Sequence, residues 1–523
     1  MKATSYRTPK ALNPFESIMP SHIIFHTLPA WSHTKPLISL TVLLAESRQD
    51  VVLTFFAGAM YPKIIKQLAQ LPPEHLEKIE GRIRIIDVAG PGSDPRQPTF
   101  EFVPAFEEVY KHGTAKCLST GKSFDNLPKP TLAIIDPFAA YAVEGIRGVA
   151  SPQDVPVFAW ISGPVGATIR EFGPESLGSR GDLWGQVEKE VTQTGGNPLE
   201  IGEKLYTACK SELVHIPGYP AMYDYEWFPQ DQDLSVSALL LRTGRKYLHE
   251  TEGTFSVTTS ILEPEATKAM SDYMHGLGKE FVSIGFIADT FPLKQGQSRA
   301  ENDDSVLEFL DKMKARFGEN SVLYIAFGSI WWPKDPSKLF IVIEELIKNH
   351  TPFLLACASP SASLPEQVQD QIVQSGIGMS VDWAPQDQVL KHPATGWFVT
   401  HAGWNSIQEG FRYRIPMIVW PFSADQPLNA ALMVEVHKTA LELLEVRTGE
   451  MGLKKLHRLD RAPLGTDQAL RDEVQILLKK LKGNEGTLVR TNVERLGEEI
   501  KSIWTERGES RVELEQFLQK FID

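Results

Sequence analysis

Residues 383–426 read WAPQDQVLKHPATGWFVTHAGWNSIQEGFRYRIPMIVWPFSADQ. Within them GWFVT (396–400) is a short apolar, β-prone run, HAGWNS (401–406) a glycine-bearing turn, and SIQEGFRY (406–413) the start of a helix. A buried strand that enters a tight turn and then a helix is the repeating unit of a parallel α/β sheet. The same unit makes an anion site, because the first backbone N–H groups of a helix lack intrahelical partners and the helix dipole favours negative charge there. His401, Asn405 and Ser406 surround the turn and offer further donors to a phosphate. Taken alone, Ser406 and Glu409 read as a capping box, S-x-x-E, with Asn405 as an alternative cap. Trp383, beside a proline turn, reads either as core or as a platform for a planar base.

Working outward, the same alternation recurs along the chain. HIIFHTL (22–28), VVLTFFA (51–57), RIRIIDV (82–88), TLAIIDPF (131–138), VPVFAWI (155–161), FSVTTSI (255–261) and FVSIGFI (281–287) have strand length and β-prone composition. Helical spacing falls between them, first in KPLISLTVLLAE (35–46), where Pro36 is tolerated in a first turn. TFPLKQGQSRAENDDS (290–305) is polar and lacks apolar periodicity, so it reads as a linker. The pattern then restarts with SVLYIAF (321–327), a helix at 336–349, PFLLACA (352–358), GMSVDW (378–383) and PMIVW (416–420). The expected fold is α/β with two doubly wound, Rossmann-like domains, 21–289 and 306–500. Residues 1–20 are expected to form a flexible tail, and 501–523 a closing helix that packs back toward the N-terminal domain.

Length and composition agree with this division. At roughly 150 residues per domain the 523-residue chain exceeds one domain, and two large α/β domains account for it. Lys and Arg number 53 against 66 Asp and Glu, a net charge of −13. That balance argues against a nucleic-acid backbone as partner, since phosphate neutralisation needs clustered cations. It leaves room for a small anion held by a few placed groups. Cys117, Cys209 and Cys357 have no C-x-x-C spacing, so neither a disulfide framework nor a zinc knuckle is expected. No secretory h-region and no run of 18 apolar residues is present, which points to a cytoplasmic protein without a membrane segment.

Some partial motifs carry little. CLSTGKS (117–123) imitates a P-loop, but Lys116 stands where the first glycine belongs. Asp231 and Asp233 lie in a polar loop that reads as solvated. No G-x-G-x-x-G follows a strand, against a dinucleotide oxidoreductase.

Taken together, the elements of 383–426 (WAPQ, H-P, THAGWNS, E-G, P-M, WP and ADQP-x-N) resemble the nucleotide-sugar signature of family 1 UDP-glycosyltransferases in its plant-type form. HIIFHTLPAWSHTKPL, AIIDPF, TTSILEPEA and SVLYIAFGS extend the resemblance over most of 20–450. It implies a GT-B fold, with an N-terminal acceptor-binding domain and a C-terminal UDP-sugar-binding domain facing an interdomain cleft. It also implies that Trp383 stacks on uracil, the Ala384 backbone reads the base edge, Gln386 lies near the ribose and Glu409 accepts from the ribose hydroxyls. His401, Asn405, Ser406 and Ser329 would bind the diphosphate, and Trp404, Asp425 and Gln426 would face the sugar. Two positions depart from the family pattern: Ala402 replaces a usual Cys, and Arg414 replaces a Gly at a helix exit, where a left-handed residue is favoured.

The resemblance places the catalytic base at His33, in PAWSHTKPL between the first strand and the KPLISLTVLLAE helix, and its orienting carboxylate at Asp136. Both fall at strand C-termini, where a doubly wound sheet collects functional groups. A helix N-terminus disfavours imidazolium, so His33 is expected to be neutral and able to accept a proton. The implied reaction is metal-independent and inverting: displacement at the anomeric carbon of a UDP-sugar by the hydroxyl of a small apolar acceptor. Glucose is the expected sugar, with xylose, galactose or glucuronic acid as alternatives, and a terpenoid, phenolic, sterol or lipid alcohol the acceptor. A catalytically inactive UDP-sugar-binding protein is the rival reading. The enzyme is expected to be a monomer without a cofactor. Among the aromatics of 160–230 (Trp160, Phe172, Trp184, Tyr219, Tyr223, Tyr225, Trp227 and Phe228), two or three are expected to touch the acceptor. Trp331 and Trp332 either border the cleft or pack between domains.

Overall fold

The computed structural model describes residues 21–95, 97–231, 237–287 and 301–522. The expected N-terminal tail, residues 290–300 of the expected linker, and Asp233 lie outside the described residues. Seven strands form the first sheet, in the spatial order Glu280–Ser283, Gly253–Ser256, Val157–Ile161, Leu132–Ile135, Ser21–His26, Val51–Ala57 and Ile83–Asp87, each neighbour pair parallel. Their central members are buried on both faces, as helix-covered parallel strands are. Ile23, Phe25, Leu53, Phe55, Ile134 and Trp160 enter one core, while Ile24, Phe56, Ala133, Ile135 and Ala159 enter the other. This is the period-2 alternation of a strand read residue by residue.

The second sheet has six parallel strands, in the order Gly378–Val381, Phe353–Ala356, Val322–Ala326, Thr395–Thr400, Met417–Val419 and Ala440–Glu442. The last was not expected from sequence. Both sheets run outward from their first strand in one direction and then return to the first strand's other side. The reversal opens a crevice beyond the strand C-termini. In the first sheet it lies between Ser21–His26 and Leu132–Ile135, in the second between Val322–Ala326 and Thr395–Thr400.

The FSVTTSI strand is shorter than expected. It spans Gly253–Ser256, and the following residues turn to serve as donors: Thr258 Oγ1 donates to Glu263, and Ser260 N donates to Glu509 Oε1 at 3.0 Å. CLSTGKS is the turn of a small antiparallel hairpin between Ala115–Lys116 and Ser123–Phe124. The helix Glu509–Phe521 packs on the first sheet, with Phe517 edge-on to Phe255 at 4.6 Å and to Phe158 at 5.1 Å between centroids.

Candidate active site

The first helix spans Trp31–Ser47, starting four residues before the expected Lys35. His33 therefore lies inside its first turn rather than in the loop before it. The extension puts Pro36 at the sixth helical position, where its missing N–H leaves the carbonyl of Ser32 without the usual i+4 donor. Asn405, from the second domain, supplies one: its Nδ2 donates to Ser32 O at 2.7 Å.

His33 Nδ1 lies 2.9 Å from Asp136 Oδ2, at the crevice of the first sheet. Asp136 is fully buried and held by its neighbours: Oδ1 accepts from the Phe138 N–H at 2.9 Å, and its own N–H donates to His26 O. Since a carboxylate only accepts, the proton sits on Nδ1 and Nε2 is left with a lone pair, on a side chain 21% exposed. Phe138 meets the imidazole edge-on at 5.1 Å. One expectation is corrected here. Burial opposes the imidazolium, yet the charge and hydrogen bond of Asp136, with the charge of Asp425, outweigh it and raise the His33 pKa above 6.5. The helix N-terminus does not govern this group; the buried carboxylate does.

The crevice of the second sheet holds the other group of expected residues. Gly328, in the FGS turn after Val322–Ala326, has φ +77, and a Cβ there would stand 3.0 Å from the His401 ring. His401 follows Thr395–Thr400, and burial pushes its pKa down to about 4. It is neutral at physiological pH, so it can offer an anion a hydrogen bond but no positive charge. Ala402 has φ +65. The next helix, Trp404–Arg412, is capped by Gly403 with no side-chain cap, so the capping-box reading of Ser406 and Glu409 is not realised. Ser406 is instead a buried first-turn residue beside the open backbone donors.

Glu409 accepts from Gln386 through Oε2, at 2.5 Å, and from Lys35 Nζ at 2.9 Å. Gln386 also accepts from Tyr324 Oη at 3.0 Å. Trp383 is 55% exposed while its neighbour Ala384 is buried, so the open indole face, not the core reading, is what the fold presents. Ser329 is exposed in the FGS turn.

Trp404 is placed differently from its expected sugar-facing position. Its indole N–H donates to Val257 O of the first domain at 2.6 Å and its side chain is packed edge-on to Phe286, leaving 3% exposed. Asp425 precedes the helix Gln426–Ala431 and accepts from Asn429 Nδ2 at 2.7 Å; burial pushes its carboxyl up to about 6. Gln426 Oε1 accepts from the N–H groups of Phe422 and Ser423 at 2.8 and 3.2 Å, which fixes the loop before it. Arg414 adopts φ +58, the left-handed exit usually left to glycine, with Nη2 on Glu498 at 2.8 Å.

Lys35 escaped sequence reasoning. It lies two residues past His33, but its partner Glu409 is 374 positions away, and no local pattern links them. Nζ is also 3.6 Å from Asp387 Oδ2, whose Oδ1 accepts from Tyr413 Oη at 2.8 Å. Trp331 stacks on Phe422 and Trp332 is buried against Phe327, so both belong to the core of the second domain, which overturns the interdomain placement. Of the aromatics between 160 and 230, Trp160, Tyr219, Tyr225, Trp227 and Phe228 are buried. Phe172 and Trp184 line a cavity of about 890 Å³ whose lining does not include His33 or Asp136.

Residues 266–457 match the family model described as UDP-glucoronosyl and UDP-glucosyl transferase. The chain is 26% identical over 503 residues to the UDP-glycosyltransferase eriJ of Hericium erinaceus, covering 94% of this chain and 96% of the relative. It is 25% identical to an anthocyanidin 3-O-glucosyltransferase of Gentiana triflora, covering 96% and 98%. The structure of Medicago truncatula UGT71G1 complexed with UDP-glucose aligns with a TM-score of 0.64 at 20% identity, over 96% of this chain and 98% of that one, which shows a shared fold. No described helix is long and apolar enough to cross a membrane. With the two crevices, the signature between Trp383 and Gln426 and these matches in hand, the chain is similar to UDP-glycosyltransferases along nearly its whole length and is a transferase of GT-B fold.

Proposed function

We propose that the chain is an inverting, metal-independent glycosyltransferase that moves glucose from UDP-glucose to a hydroxyl of a small, largely apolar acceptor. The observation that carries this reading is the His33–Asp136 pair at 2.9 Å, one turn from a helix N-terminus that touches the opposite domain through Asn405 and Ser32. His33 Nε2 takes the acceptor proton, and Asp136 holds the tautomer and stabilises the imidazolium that forms. The acceptor oxygen bonds to the anomeric carbon as the carbon–oxygen bond to the diphosphate breaks, its electron pair leaving on UDP. His401, Ser406, Ser329, Asn405 and the first N–H groups of the Trp404–Arg412 helix receive the diphosphate.

In this reading Trp383 stacks on uracil, the Ala384 backbone reads the base edge, and Gln386 and Glu409 take the ribose. Asp425 and Gln426 face the glucose hydroxyls, and Trp404 contributes through its backbone, since its indole is committed to Val257. Residues 21–289 bind the acceptor and 306–500 the donor. The relatives named for glucosyl transfer to anthocyanidins support glucose and a phenolic or similarly apolar alcohol. A donor-by-acceptor screen read by mass spectrometry, with the product's anomeric configuration from NMR, tests this. A β-glucoside from UDP-α-glucose is expected; an α-linked product refutes inversion, and transfer only from another UDP-sugar refutes glucose.

A further inference from the structure

The charges around the expected donor position do not balance for an anionic ligand. Glu409, Asp387 and Asp425 bring three carboxylates to it, and His401 offers no charge at neutral pH. A diphosphate adds more negative charge, which grows on the leaving oxygen as the sugar departs. Two cations stand within this group. Arg412 is on the carboxylate side, with Nη1 3.9 Å from Asp387 Oδ1 and its guanidinium over the Tyr413 ring. Lys35 comes from the opposite domain, and its ammonium reaches Glu409 at 2.9 Å and Asp387 at 3.6 Å. The acidic neighbours overcome the cost of burial and keep Lys35 charged.

Three relations place Lys35 near the departing charge. It is two residues from His33 on the same helix. That helix is fastened to the first turn of Trp404–Arg412 through Ser32 and Asn405 at 2.7 Å. Glu409, its present partner, stands only about 7.5 Å along the axis from Trp404, at about 1.5 Å per residue. The lysine stem is flexible and its ammonium is a compact point charge. Ribose hydroxyls that donate to Glu409 compete for the oxygen Lys35 now holds.

We propose that Lys35 is a further catalytic residue: on donor binding it exchanges Glu409 for the diphosphate and stabilises the charge of departing UDP. This rests on the reading of the Trp404–Arg412 N-terminus as the diphosphate site. Lys35 stays protonated throughout; the acceptor proton goes to His33 Nε2, and the electron pair of the broken carbon–oxygen bond to the diphosphate.

Calorimetric binding of UDP and of uridine, which lacks the diphosphate, separates the possibilities. Lys35→Met is expected to weaken UDP at least about tenfold and uridine less than about twofold, and to lower kcat. Lys35→Arg, which keeps the charge, is expected to retain UDP affinity within about threefold; melting curves establish that both variants fold. Equal weakening of both ligands by Lys35→Met makes Lys35 a clasp on Glu409 and overturns the proposal, as does unchanged UDP binding. Wild-type protein that binds neither ligand overturns the donor-site reading itself, and the role of Lys35 with it.

Discussion

Asn405 Nδ2 donates at 2.7 Å to the carbonyl of Ser32, which Pro36 deprives of its intrahelical donor. One proline in the first domain thus creates an acceptor that the second domain fills, and the bond sets the turn that carries His33 beside the Trp404–Arg412 helix. Asn405→Ala is expected to lower the melting temperature, because a part-buried carbonyl left without a partner costs about 1–3 kcal/mol. In a Pro36→Ala background, where residue 36 regains its N–H, the same change is expected to cost less. Thermal unfolding of the four proteins of this cycle checks it; equal losses in both backgrounds contradict the pairing.

The pH dependence of turnover follows from the His33 environment. A base works only when deprotonated, and Asp136 raises the His33 pKa above 6.5. Activity is therefore expected to fall as pH drops through that raised value and to level off above it. Asp136→Asn removes the raising charge, so the acid limb is expected to move to lower pH while the plateau falls. A limb that stays in place assigns the titration to another group.

Gly328→Ala is expected to weaken UDP binding about tenfold. The left-handed φ of +77 strains any L side chain by about 1–2 kcal/mol, and the new Cβ meets the His401 ring at 3.0 Å. Calorimetry with UDP measures the effect, and an unchanged affinity means that His401 does not need its present position.

Arg414→Gly is expected to leave donor affinity unchanged and to shift the melting temperature by no more than about 2 °C. Relief of the left-handed strain at φ +58 is offset by loss of the contacts to Glu498 and to the Phe411 carbonyl. A large fall in UDP affinity shows instead that the helix exit sets the donor site.

Much of this arrangement was legible in the chain because it is local. Buried parallel strands print continuous apolar runs, and IIFH, LAII and WFVT stand where the sheets have strands. Asp136 and His401, just past two of these strands, follow from the strand ends. The reach of Lys35 to Glu409 and the turning of the Trp404 indole to Val257 depend on how the domains face each other, and neither has a local signal. The start of the first helix at Trp31 was hidden by Pro36, which reads as a first-turn residue unless the Ser32 carbonyl it orphans is known to have a distant donor. The direction of the His33 shift was missed for a related reason: a buried carboxylate 103 positions away outweighs the helix terminus beside it.

The central claim, that His33 is the base of a UDP-dependent sugar transfer, is tested most directly by comparing wild-type protein and His33→Ala for glycoside formation with UDP-glucose, alongside UDP binding. Turnover is expected to fall at least about 100-fold in the variant, the usual range for losing a general base, with UDP affinity retained. A variant that binds UDP and transfers sugar at nearly the wild-type rate contradicts the account.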